Sequence, residues 1–273
     1  MATNDGKNLR GVMGPYVFRV MNGKNIVQSR VAPGKIKQTQ PTIASSSNFG
    51  QCVILANAIK MSSRDRLFEP YMFQNLTGVL HSTLKKRWDK NIGAFNLDQE
   101  SFSSLNHFNF NSLSKVAERV SEWPSVQLEN NKLIVTLPSL NVPVQFPFPK
   151  KGFQCKLTIG VSLFRLADNL RSTYEEMQSM CFTQNDKLSP AINWEFDAPQ
   201  GCLCIVNLYL EYADATSEGW YVINNKKFNP AGICSAVLNA GEYVGKKDPK
   251  KWIKFKVEKN ARFFNAVLTA GSL

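Results

Sequence analysis

From about residue 124 onward the sequence breaks into short apolar stretches, each closed by a turn signal. The stretches fall at 126–128, 133–137, 154–166, 177–182, 192–196, 204–212, 220–227, 233–238, 252–257 and 263–268. A chain punctuated at intervals of about 8–12 residues has no room for long helices and buries its apolar residues as paired strands, in a sandwich or barrel. Asn130-Asn131 lies between the first two stretches and is a hairpin signal. The run 142–149 carries three prolines and reads as an edge or crossing segment.

The 120 residues before this region follow different rules. Residues 15–30 read as a β-hairpin around Asn22-Gly23, because a type I′ turn needs positive φ at both central positions. A two-residue turn sets Met21 opposite Lys24, Arg19 opposite Ile26 and Phe18 opposite Val27. Alternation then sorts Tyr16, Phe18, Val20 and Val27 onto one apolar face. Arg19, Lys24, Gln28 and Arg30 go to the other face, among Val17, Met21 and Ile26. The flanking stretches, with Gly6, Gly11 and Gly14 on one side and residues 32–41 on the other, read as a loose arm.

Two helices are expected next. Ser45-Ser46-Ser47 offers N-cap hydroxyls, and Phe49, Cys52, Val53, Ala56 and Ile59 share a helical face. A second helix begins near Pro70, with Phe73, Leu76, Leu80 and Leu84 inward and Lys85-Lys86-Arg87 closing its last turn. The expected class is therefore α+β, mainly β. It comprises an extended basic N-terminal arm with a β-hairpin (1–41), a small helical segment (42–122) and a C-terminal antiparallel β-sandwich (123–273).

The net charge is +12. It is unevenly placed. Residues 1–40 hold seven bases and one acid, and residues 241–273 hold eight bases and three acids. Residues 41–240 hold 18 bases and 17 acids and are close to neutral. Concentrated charge of this kind attracts polyanions or acidic surfaces. The candidate polyanion-binding residues are Arg19, Lys24, Arg30, Lys35 and Lys37 in the arm, with Lys246, Lys247, Lys250, Lys251 and Trp252 near the other end.

Catalytic chemistry is poorly supplied. There are two histidines, His81 and His107, and neither belongs to a known motif. No nucleophile elbow, phosphate loop, zinc-protease helix or dinucleotide fingerprint occurs. Glu175 and Glu176 are adjacent, so on a strand they point to opposite faces, and both read as solvated surface. Trp194, Trp220, Tyr221 and Trp252 read as sandwich core or edge cover, with a sugar or base platform as the alternative. The six cysteines lie mostly in apolar runs and read as reduced thiols. Cys202-Leu203-Cys204 lacks zinc-knuckle spacing, and no metal or other cofactor is expected. The polar opening residues and the lack of a long apolar run lead to the expectation of a cytoplasmic protein without membrane contact.

Gly11-x-x-Gly14-Pro15, Gly23-Lys24, Val27, Arg30 and Phe49 resemble an uncharacterised family of bacterial proteins built around a domain of unknown function. The likeness spans about residues 9–60. It implies a basic arm followed by helices and a β-rich, immunoglobulin-like half, and it supplies no catalytic residues. This chain departs from the family's pattern at Phe18, Gln28, Val31 and Ser45-Ser46-Ser47.

These observations lead to an expected function: a non-enzymatic structural or interaction protein. Its apolar arm face, Tyr16, Phe18, Val20 and Val27, would meet a protein partner or another copy of the chain. The alternative is a nucleic-acid-binding protein using the basic residues above. A carbohydrate-binding domain or hydrolase is the third reading.

Overall fold

A computed structural model describes residues 3–4, 6–21, 23–31, 39–63, 68–216, 219–245, 250–255 and 266–268. The chain divides into two units, Met1–Ser45 and Ser46–Leu273.

The first unit holds a four-stranded antiparallel sheet in sequential order: β1 (Thr3–Asn4), β2 (Leu9–Met13), β3 (Tyr16–Met21) and β4 (Lys24–Ser29). The β3–β4 register pairs Met21 with Lys24, Arg19 with Ile26 and Phe18 with Val27, as the two-residue turn requires. The expected loose stretch before the hairpin is itself a strand. Gly14, at φ 55, turns the chain so that Gly11 lies opposite Phe18 and Val12 opposite Val17. The Asn25 side chain reaches across β3, donating to the Lys7 carbonyl and accepting from the Leu9 N–H.

Helix α1 (Gln40–Ser62) starts earlier than its serines suggested. Pro41 sits in the first turn, where proline is tolerated, and Ser45–Ser47 lie inside the helix. Cys52, Leu55, Ala56 and Ile59 form its buried face, and Phe49 is exposed. Helix α2 (Met72–Leu84) buries Met72, Leu76, Leu80 and Leu84. Lys85, Lys86 and Arg87 form a single 3-10 turn directly after it. Short strands β5 (Trp88–Asp89), β6 (Ala94–Leu97) and β7 (Phe108–Asn109) follow, with a 3-10 turn at Ser103–Leu105.

The remaining strands are β8 (Ser125–Glu129), β9 (Lys132–Leu137), β10 (Gln154–Arg165), β11 (Leu170–Ser172), β12 (Glu176–Thr183), β13 (Ile192–Asp197), β14 (Cys202–Thr216), β15 (Gly219–Val222), β16 (Ala231–Asn239), β17 (Trp252–Lys254) and β18 (Ala266–Leu268). Asn130 and Asn131, at φ 47 and 61, make the expected β8–β9 turn. In the main sheet β10 pairs with β14, which pairs with β16, and β16 with β7. The other edge of β10 carries β12 along most of its length and β11 at its end, with β17 beyond β11. A second sheet runs β13-β9-β8, and a third runs β18-β6-β5, where β18 pairs parallel to β6.

Two hydrophobic cores lie on the two faces of the main sheet. On one face Leu157, Ile159, Val161 and Leu163 of β10, with Val206 and Leu208 of β14, pack with Leu133, Val135 and Phe196 of the β13-β9-β8 sheet. On the other face Phe164, Leu203 and Ile205 pack with Leu55 and Ile59 of α1 and Leu76 and Leu80 of α2. The helices, main sheet and smaller sheet therefore form three layers, and the protein is α+β, mainly β. A bulge at β16 maintains this division. Val206 pairs with Ser235 and Asn207 with Ile233, so Cys234 is the extra residue. Ala231 and Ile233 before it, and Ala236 and Leu238 after it, all face the helices despite the change of parity. Among the described residues no helix is long and apolar enough to cross a membrane.

Candidate functional site

The arm sheet presents two open faces. Tyr16, Phe18, Val20 and Val27 share one face with Gly11 and Met13, as the paired register dictates. Tyr16 is 48% exposed, Val27 55% and Met13 57%, while Phe18 and Val20 are half-buried. Arg19 and Lys24 lie on the opposite face with Val12, Val17 and Ile26, and both cations are exposed. No residue of strands β1–β4 is fully buried. Sheets usually gain stability by burying at least one apolar face, so this one is short of the burial that supports it.

The second basic cluster is only partly described: Lys35, Lys37, Lys246 and Lys247 lie outside the described residues. Lys250 and Lys251 are exposed beside β17. Trp252 is 5% exposed and pairs with Ser172 in β11. Its ring packs edge-on against Tyr243 with 5.5 Å between centroids. Arg165, buried at the end of β10, lays its guanidinium over Tyr243 at 3.8 Å and near Trp252 at 5.3 Å, and pairs with Asp168. The indole is therefore one wall of a cation–π clamp and is not offered to a base or sugar. A cleft of about 480 Å³ next to it is lined by Lys132 and Lys251 but also by Asp197 and Glu242, so its charge is mixed.

The remaining aromatic candidates are dispersed. Trp194 packs partly against the core of the smaller sheet. Trp220 and Tyr221 are 56% and 64% exposed, but they are neighbours on β15 and so face opposite ways. Trp220 stacks on Phe153 at 5.9 Å.

One polar constellation escaped the sequence. Glu175 is 8% exposed, not solvated, while Glu176 points outward as alternation requires. The Tyr209 hydroxyl donates to the Glu175 carboxylate, with oxygens at 2.9 and 3.0 Å, and Asn207 Nδ2 donates at 2.6 Å. Ser63 Oγ lies 2.8 Å from the Tyr209 hydroxyl and links the chain just past α1 to the sheet. The carboxylate sits over Gly160, where an added Cβ would lie 2.4 Å from its carbon. That glycine, interrupting the apolar run from Leu157 to Leu163, was the available sequence signal for a close approach. Chemically the group is an acceptor satisfied by hydroxyl and amide donors, which fastens the helical layer to the sheet.

The histidines take no part. His81 meets Phe49 edge-on at 5.4 Å and His107 stacks on Trp123 at 4.9 Å. All six cysteines are free thiols and five are buried. Burial pushes the thiols of Cys52 and Cys202 up to about 12 and those of Cys155, Cys204 and Cys234 higher than usual. Neutral thiols are poor nucleophiles and poor ligands. Among the described residues no three His, Cys, Asp or Glu side chains gather as a metal site. No family model matches the chain, and no match was found among the curated proteins or the solved structures.

Proposed function

We propose that this protein is a non-enzymatic structural component that assembles through its N-terminal arm sheet. The observation that carries the reading is a sheet of paired strands with neither face fully covered, displaying Met13, Tyr16 and Val27 to solvent. Exposed apolar side chains gathered on one strand face favour a partner surface. Deleting residues 1–39 should reduce the particle to a monomer in light scattering, while the thermal transition of residues 46–273 stays in place. An unchanged particle size after the deletion would overturn the reading.

A second reading rests on the opposite face, where Arg19 and Lys24 are exposed together. That face supports polyanion binding. A protein held by such contacts loses nucleic acid steeply as salt rises, and Arg19→Glu with Lys24→Glu should abolish the retention. No retention at low salt would remove this alternative.

A further inference from the structure

The arm sheet ends on one long edge. Strand β4 is its last strand and, among the described residues, pairs only with β3. The opposite border, β1, is two residues long. The direction of the main-chain groups along β4 follows from the turn. Met21 and Lys24 close a two-residue hairpin, so they form a hydrogen-bonded pair, and bonded and non-bonded pairs then alternate. The Arg30 N–H donates to the Pro15 carbonyl and keeps the same parity at the far end. Lys24, Ile26, Gln28 and Arg30 therefore direct their main-chain groups to β3. Asn25, Val27 and Ser29 point theirs outward, and the described residues supply these groups no partner. All three side chains are exposed.

A row of outward N–H and C=O groups is a template for a further strand. A second copy of β4 fits it best in one register. Two antiparallel copies related by a two-fold axis keep like faces together, and outward residues must meet outward residues. Setting Val27 opposite the partner's Val27 places Lys24 against the partner's Arg30, and like charges directly opposite destabilise a sheet. Setting Val27 opposite the partner's Ser29 places Ile26 against the partner's Arg30. Setting Val27 opposite the partner's Asn25 places Lys24 against Gln28 and Ile26 against Ile26, with no charges opposed and two apolar side chains at the centre. The cations exclude the first register, and Ile26 selects the last.

Building on the assembly reading above, we propose that β4 pairs antiparallel with β4 of a second copy of this chain, centred on Ile26, and joins two arm sheets into one of eight strands. Asn25 and the partner's Val27 exchange main-chain hydrogen bonds, twice by symmetry. Tyr16, Phe18, Val20 and Val27 of both copies then share one apolar face, and Arg19 and Lys24 of both lie on the other. The pairing consumes both long edges, so it closes at two copies.

The test uses full-length chains carrying Cys181→Ser, which removes the exposed native thiol. Three variants add Ile26→Cys, Val27→Cys or Gln28→Cys. At the centre of this register the two copies of residue 26 form a non-hydrogen-bonded pair with Cα atoms about 4.5 Å apart, within disulfide reach. Residues 27 and 28 lie more than about 7 Å from their own copies, beyond that reach. Mild oxidation should therefore cross-link Ile26→Cys to twice the chain mass and leave the other two largely single. Val27→Pro removes an outward N–H and no bond to β3, and should raise the dissociation constant in light scattering about tenfold or more. Val27→Ala keeps that N–H and should associate close to the parent. Fastest cross-linking at residue 27 or 28 would overturn the register. No cross-link at any position, with Val27→Pro as strongly associated as the parent, would overturn the edge pairing. Loss of assembly on deleting residues 1–39 would then still leave the arm as the assembling element. A protein that is monomeric at every concentration overturns both proposals.

Discussion

Strands β3 and β10 obey the same alternation, and their fates differ. Strand β10 runs 12 residues with ten of them buried, five of its apolar side chains in the core against the smaller sheet and Phe164 in the core against the helices. Strand β3 runs six residues with none buried, although Phe18 and Val20 alternate as regularly. Period two decides which side chains share a face. It does not decide whether anything covers that face. In the body, two further layers do so; in the arm sheet, within the first unit, none does.

The largest effects should come from challenging that contrast in the core. Phe164→Ala removes a ring that is fully buried and should cost about 3–5 kcal/mol in a urea titration. Phe18→Ala should leave the main unfolding transition where it is. Equal shifts from both substitutions would show that the arm and body fold as one cooperative unit.

Glycine offers a sharper version. Gly160→Ala drives a methyl into the Glu175 carboxylate and should destabilise the body by about 1–3 kcal/mol. Gly14→Ala meets no atom within 4 Å and strains only a φ of 55, so its cost, about 1–2 kcal/mol, should fall on the arm sheet alone. Amide hydrogen exchange resolves the two regions: the first change should loosen β10 and β14, and the second only β2 and β3.

The smallest effect concerns charge. Lys132 donates to Asp197 at 2.8 Å, and this hydrogen bond holds the Asp197 carboxyl below its ordinary value. A depressed folded pKa contributes stability that is present above the ordinary carboxylate value of about 4 and lost as pH falls through the folded value. Both side chains are largely exposed, so the change should be small and shrink with added salt. Asp197→Asn should remove that part of the acid dependence in urea titrations. An identical acid profile in the variant would show that the pair contributes nothing.

Short-range chemistry made much of this legible. The two-residue spacings between Met21 and Lys24 and between Glu129 and Lys132 leave one register for each hairpin. The helical faces around Leu76 and Leu80 were legible from spacing alone. The start of α1 was not, because serine hydroxyls serve equally as caps and as interior residues when packing holds the helix. Nor was strand β2, whose Gly11 and Gly14 signal looseness until a partner strand is known. Glu175 was the hardest case: its burial depends on Tyr209 and Asn207, more than thirty residues away, and on the room left by Gly160.

The bulge at Cys234 has a meaning beyond geometry. Along β16 the chain is written in two reading frames, one before Cys234 and one after it, and both spell the same inner face. Taking Cys234 out would leave Ile233, Ser235, Ala236, Val237 and Leu238 alternating regularly, with the same side chains turned to the helices. Drawing Cys234 into the ladder would do the opposite: Ala236 and Leu238 would turn to the smaller sheet, and Ser235 and Val237 to the helices. The extra residue is thus a spacer that keeps the two frames in phase.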